Sequence, residues 1–379
     1  MKAEQLLWTR EEDWNTSPTD EFSQNAQLVL VFGSRSAMEK PGTLDQINEL
    51  YPAASIVGCS TSGEIQGTEF MNGSLTTTAL IFDNTQIQIT QSQIENPQQS
   101  FSVGENLSQS LESENLSHVL IIADGLRVNG THLIAGLQKH LPSHVQITGG
   151  LAGDGESFEK TLVCCDGPPL EGQIAAIGFY GSHLNVGYGS VSGWVPFGPE
   201  RLITKSNGNI LYEMDGQPAI DLYRSILMEE SVELSAARFY FPLEIRTEGE
   251  KQGIVRTIVG INEEDQSLIF AGDVPEGYQA RLMRVNLNRL MEGAAQAARG
   301  SIVSGNGSPD LALLVSCVGR KIVLKQRTFQ ELEAVREVLG SSTPMTGFYS
   351  YGELAPFSSG QECHLHNETM TITTFSETA

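Results

Sequence analysis

The frame Gly-x4-Gly-Glu occurs twice, near opposite ends of the sequence, as Gly58-Cys-Ser-Thr-Ser-Gly63-Glu64 and Gly347-Phe-Tyr-Ser-Tyr-Gly352-Glu353. In each copy a short apolar run leads in (Ser55 to Val57, Met345 to Thr346), and a Thr-rich, β-branched run follows (Leu75 to Phe82, Thr369 to Phe375). Such runs read as strands. Glycine accepts positive φ and close backbone approach, so a strand that ends in this turn offers amides and small hydroxyls at its tip. The chain must therefore fold into strands that break sharply at matching places.

The surrounding pattern repeats as well. Leu28 to Phe32, the helical spacing of Leu44, Ile47 and Leu50, the strand 55–57, the first turn and the strand from Leu75 form one β-α-β-turn-β unit. His118 to Ala123, a helix over 132–141, Val145 to Thr148, Gly149-Gly150-Leu-Ala-Gly153-Asp154-Gly155 and Gln173 to Tyr180 form a second. Leu311 to Cys317, a helix over 329–339, the last glycine turn and Thr369 to Phe375 form a third. Between the second and third lies a mixed insert of strands (186–191, 201–205, 209–214, 253–262, 268–271), a helix over 219–229 and a long helix expected over 278–299. The fold class is mixed α/β, with repeated units in two fused halves. At 379 residues the chain exceeds one ordinary core. The expected divisions are an N-terminal arm over 1–26, carrying Trp8 and Trp14, and domains over 27–217 and 218–379, parted at Asp215-Gly216-Gln217-Pro218.

Composition narrows the partners. A formal net charge of −23 disfavours nucleic acid and anionic membrane surfaces, and favours a neutral, zwitterionic or cationic ligand or a basic protein surface. Five cysteines, an odd number set in apolar strands or beside glycines, point to a reducing compartment. The opening MKAEQLLWTREEDW lacks the apolar core of a signal peptide, and no apolar run is long enough to span a bilayer, so a cytoplasmic protein without membrane insertion is expected.

Several chemistries fail on spacing. Gly58-x4-Gly63 has the spacing of a phosphate loop, but Glu64 stands where the phosphate-neutralising lysine belongs, and Glu353 repeats the difference. Phe158 stands where a third glycine of a dinucleotide fingerprint would follow Gly153 and Gly155. Ser350 sits in a frame one residue longer than a nucleophile elbow, so a hydrolase using Ser350 or Cys59 with His366 as base is the least favoured reading. Adjacent Cys164 and Cys165 point to opposite faces of a strand and read as packing. In Cys363-His364-Leu-His366-Asn367 the two imidazoles would share one face of an extended strand, a possible metal or haem face, although His366 and Asn367 can equally hydrogen-bond loop backbone. Non-covalent haem needs only an axial ligand in an apolar pocket, which leaves His183, His364, His366, Tyr349 and Tyr351 as candidates.

Taken together, Arg35-Ser36, the two glycine-glutamate turns, Gly149-Gly150, Pro196-Phe197-Gly198-Pro199 and His366-Asn367-Glu-Thr369 resemble the FIST proteins, in stand-alone form, from about residue 26 onward. The resemblance implies a non-catalytic sensor in intracellular signalling that binds a small molecule, an amino acid or amine, and passes its signal to a separate partner. A second branch of the family implies haem b, nitric oxide sensing and regulation of a partner histidine kinase. The expected ligand site is Cys59, Ser60, Ser62, Gly63, Glu64, Ser350, Gly352, Glu353, His366 and Asn367, in a cleft where the glycine turns converge, carboxylates facing an ammonium and amides a carboxylate.

Overall fold

The three units recognised in the sequence build three separate six-stranded sheets, closed against one another as the sides of a prism. The computed structural model describes residues 1–230, 238–250, 252–303, 305, 307–357 and 360–378. Each sheet has the same plan. Two strands run parallel: Leu28–Gly33 with Ser55–Ser60, Leu116–Ala123 with Gln146–Leu151, and Leu311–Cys317 with Met345–Ser350. A third strand lies antiparallel on the first of each pair, Leu75–Ile81, Gln173–Tyr180 and Met370–Glu377. An outer strand then covers that one: Lys2–Thr9, Gln86–Gln93 and Leu184–Val191.

The sheets exchange strands in a ring. After its glycine turn, the first repeat sends Glu64–Gln66 onto the third repeat, where it pairs with 345–350. The third sends Gly352–Pro356 onto 146–151 of the second, and the second sends Val163–Cys165 onto 55–60 of the first. The bend that starts each exchange needs glycine. A Cβ on Gly58, Gly149 or Gly347 would stand 1.8, 1.9 and 1.8 Å from the carbonyl oxygens of Val31, Ile121 and Leu314 on the neighbouring parallel strand, so any side chain would force the strands apart.

Both faces of every sheet are covered, which is why the first parallel strands are continuous apolar runs. The inner faces meet in one core, in which Leu30, Phe32, Ile122, Phe179, Leu313 and Phe348 are buried together and the Phe32 and Phe348 rings lie 4.7 Å apart. Outside the prism, helices Asp20–Asn25 and Thr43–Leu50 flank the first sheet, Ser100–Ser110 and Gly130–Gln138 the second, and Leu287–Ser301 and Thr328–Leu339 the third.

Two expected limits can be placed on the fold, and one expected helix changes. The segment expected as an arm is the opening strand and helix of the first repeat; Trp8 is 3% exposed, and Trp14 pairs with it across the sheet edge. The long helix expected over 278–299 is split. Ala280 and Leu282 alternate with Arg281 in the strand Gln279–Arg284, and the helix begins only after Asn286, whose side chain accepts the amides of Asn288 and Arg289. Asp215-Gly216 is a tight turn with both residues at positive φ, joining Ile210–Met214 to Gln217–Pro218 inside the eight-stranded sheet of the insert.

Candidate functional site

The three turns converge, and their meeting point is sealed. Ser62 N donates to Tyr349 O, Tyr351 N to Leu151 O, and Gly153 N to Ser60 O, a closed ring of backbone bonds running from the first repeat to the third, to the second and back. Gly149-Gly-Leu-Ala-Gly153-Asp154-Gly155 is thus the third copy of the frame, with Asp154 in place of the second glycine and Gly155 in place of the glutamate.

Glu64 and Glu353 do matching structural jobs rather than facing one cleft. Glu64 accepts Thr61 Oγ1 at 2.6 Å on one oxygen, and Ser74 Oγ at 2.6 Å and Ser74 N at 3.3 Å on the other. Glu353 accepts Ser350 Oγ at 2.6 Å and Thr369 N at 3.2 Å. Each therefore ties its own turn to the residue that opens the third strand of its repeat. Both are 0% exposed, and burial pushes Glu64 up to about 7 and Glu353 well above the carboxylate range. Cys59, Ser60, Ser62 and Ser350 are buried with them. Ser60 Oγ accepts Leu162 N, and Ser62 Oγ donates to Gly155 O. Burial holds the Cys59 thiol well above its ordinary range, and the fully buried Ser350 donates its hydroxyl to Glu353. Asn367 is 1% exposed, and its amide has no partner among the described residues.

The open space lies beside the ring. A cavity of about 770 Å³ sits where the first parallel strands of the second and third repeats end, at Gly125 and Cys317, with Leu151 and Tyr351 from their second strands. Loops of the insert around Asn209, Phe239 and Gly272 roof it. Clefts at the carboxyl ends of parallel strands are recurrent ligand sites. None of the ten residues expected as the site lines it.

One loop shapes the wall. Asp154 accepts the amides of Phe158, Glu159 and Lys160 at 2.9, 3.0 and 2.9 Å, the Arg35 guanidinium at 3.1 Å and the Tyr351 hydroxyl. These bonds hold Phe158 at φ 54°, a conformation that costs a bulky residue energy and gathers at functional sites. The Phe158 ring stacks on Tyr351 at 4.5 Å and 14°, and the Arg238 guanidinium lies over Phe158 and Phe239 at 5.8 and 4.7 Å. Phe158 entered the sequence reading only as the break in a dinucleotide fingerprint. The register of Asp154 against Gly63 and Gly352 was the signal that could have singled out this loop; Arg238 carries none.

The histidines part company. His183 is exposed, its Nδ1 3.3 Å from Thr378 O. His366 is 2% exposed, with Nε2 2.9 Å from Ala355 O, and burial holds it neutral, near 3. His364 alone of the three lines a large cavity, a second space of about 770 Å³ shared with Phe357, Arg246, Tyr278 and Cys363. Burial also lowers His364, and the space beside it carries charged residues, Glu250, Arg256 and Glu362 among them, together with its apolar ones. Among the described residues no group of three or more His, Cys, Asp and Glu could hold a metal ion, and no helix is long and apolar enough to cross a membrane.

Comparison with known proteins gives the FIST N domain over residues 27–217 and the FIST C domain over 219–356. An uncharacterized protein of Methanocaldococcus jannaschii is 25% identical over 200 residues, which are 50% of this chain and 38% of that protein. An uncharacterized protein of Mycobacterium tuberculosis is 23% identical over 272 residues, 67% of each chain. The chain thus spans well under half of the archaeal relative's length. The crystal structure of a cyanuric acid hydrolase from A. caulinodans covers 78% of this chain and 100% of that one at 9% identity and a TM-score of 0.20, a likeness too low to bear on fold or chemistry.

Proposed function

Because the chain belongs to the FIST family, whose domains serve sensing in signal transduction, we propose that it is a non-catalytic sensor that binds a small organic ligand in the cavity between its second and third repeats. The observation that carries this reading is the composition of that cavity's wall, in which FIST N residues such as Leu151 and Phe158 face FIST C residues such as Phe239 and Cys317. A ligand there touches both domains and the insert at once. If it binds one arrangement of the insert better than another, it shifts that population and the surface offered to a separate signalling partner. Cys59 and Ser350 are fully buried and neither lines the cavity, which counts against a hydrolase built on either of them.

The test is a thermal-shift screen of amino acids, organic acids and amines, repeated on Leu126→Trp. Leu126 lines the mouth and is 37% exposed, so the bulkier ring blocks entry without disturbing the core. A ligand at 100 times its Kd adds about 2.7 kcal/mol to the stability of the wild type. That gain disappears in Leu126→Trp if the cavity is the site, and an undiminished gain there refutes it.

The placement of His364 favours a second reading, in which haem occupies the other large cavity and a partner histidine kinase is regulated. His364 would hold the iron, Phe357 would pack beside the ring, and the bound haem would supply gas binding, nitric oxide included. Protein purified from cells fed a haem precursor should then show a haem absorption band that His364→Ala loses and His183→Ala keeps. A colourless wild-type protein that takes up no added haem removes this reading.

A further inference from the structure

The three seams of the ring are not closed alike. At the seam of the first and second repeats, Arg35, just beyond strand 28–33, reaches the Asp154 carboxylate at 3.1 Å. At the seam of the third and first repeats, Lys321, in the helix Val318–Leu324 that follows strand 311–317, donates to Ser62 O and Asn72 Oδ1. Each of these cations ends on an acceptor of the next repeat's turn or the loop beyond it. At the seam of the second and third repeats, the segment beyond strand 116–123 sends no cation inward, because Arg127 turns out to Glu171 at 2.6 Å. The cation at this seam comes instead from the insert. Arg238 enters the cavity wall, and its Nε is buried with no hydrogen-bond partner among the described residues.

A buried guanidinium N–H left without an acceptor is costly, because it has given up water and gained nothing. The surroundings of Arg238 are built to keep it there. Two aromatic faces hold the plane, and one of them, Phe158, is itself fixed at positive φ by three amide bonds to Asp154 and by its stack on Tyr351. The two carboxylates on the cavity do not complete the pair. Asp273 is engaged by His132 at 3.0 Å and Asn129 at 2.9 Å, and Glu156 stands exposed on the rim.

We infer that the ligand of this cavity is an organic carboxylate, its anionic end paired with the Nε edge of Arg238 and its apolar body laid along Phe239, Val259, Phe270 and Val318. The inference rests on the cavity being the ligand site. The planar, forked guanidinium matches a carboxylate with two parallel hydrogen bonds, a geometry that an ammonium or a neutral amide cannot reproduce. With Asp273 occupied and Glu156 exposed, no buried acid lining the cavity is left over to receive an ammonium, so acids rather than amines are selected, against the general repulsion of a net charge of −23.

The test is calorimetric titration of the full chain with matched sets in which only the head group changes: phenylacetate, phenylacetamide and phenethylamine, and the corresponding indole series. The acids should bind at least tenfold more tightly than their amides, and the amines not at all. Arg238→Met, which keeps an apolar stem against both rings, should remove the preference for acids while leaving amide binding as it was, and Arg238→Lys should restore only part of it. Equal binding of acids and amides, preference for amines, an acid preference that survives Arg238→Met, or no binding by any of the acids each overturns the inference. Failure of the cavity itself reads differently: Leu126→Trp would then leave the affinity of every binding compound unchanged.

Discussion

Glu64 offers a quantitative test of whether the glutamate of the repeated turn is held buried and protonated in the fold. Its ordinary value is 4.5, and burial raises it to about 7 in the folded chain, against the opposing pull of the Ser74 and Thr61 hydrogen bonds. Between those two values the folded protein keeps a proton that the unfolded chain releases, so stability is fully present below about pH 4.5 and falls as pH rises through 7. A gap of this size corresponds to roughly 3 kcal/mol over the whole range, of which about 2 kcal/mol falls between about pH 5.5 and 7.5. Glu368, raised to about 8 by burial, and Glu353, raised well above its ordinary value, pull in the same direction. Glu64→Gln keeps the shape and a neutral donor and acceptor but cannot titrate. Urea unfolding at closely spaced pH values should show wild-type stability declining from pH 5.5 to 7.5, and the decline should be about 2 kcal/mol shallower in Glu64→Gln, with m unchanged. Parallel curves for the two proteins would show that the carboxyl is not held protonated in the fold, and the burial argument would be refuted.

Gly347→Ala should abolish soluble expression or cost more than about 3 kcal/mol, since its Cβ would stand 1.8 Å from Leu314 O; Gly340→Ala, at φ 83° with open space around it, should cost about 1 kcal/mol in the same unfolding assay. Arg320→Met should cost roughly 3–5 kcal/mol by stranding Glu331, a fully buried partner at 2.8 Å, and the added change Glu331→Leu should recover much of it; a single variant as stable as wild type would contradict the pairing.

The repeat was legible because its signals are local. Apolar runs such as Leu28 to Phe32 and Leu311 to Cys317 are buried on both faces, and the β-branched run 369–375 lies where its pattern put it. The paired glycine-glutamate frames marked true equivalences, down to the hydroxyl three residues before each glutamate. What sequence could not supply was the destination of the strand after each turn. Glu64–Gln66 pairs with a strand some 280 residues away, and nothing in three residues specifies that partner. The same limit holds at the turns: a carboxylate beside glycines and serines reads as a binding group, and only the fold shows which hydrogen bonds Glu64 and Glu353 already accept. Residues 279–284 were misread because Leu282, Val285 and Leu290 satisfy helical spacing, while the pairing with 243–246 that makes them a strand is tertiary.

The ring also explains where a ligand site can exist in such a fold. Three identical seams would be closed by the same bonds, and the residues of the backbone ring from Ser62 to Tyr349, Tyr351 to Leu151 and Gly153 to Ser60 are buried. Departure from the repeat is what makes room. The insert, carrying the eight-stranded sheet, is placed within the third repeat, between its outer strand 184–191 and its helix 287–301, and returns loops to the seam that has no cation of its own. A ligand can shift an equilibrium only by as much as its contacts differ between the two arrangements. At the two closed seams the acceptors already lie within the chain, so a ligand has little to add. At the third, Arg238 lacks one among the described residues, and a ligand supplying it would tie the insert to the ring.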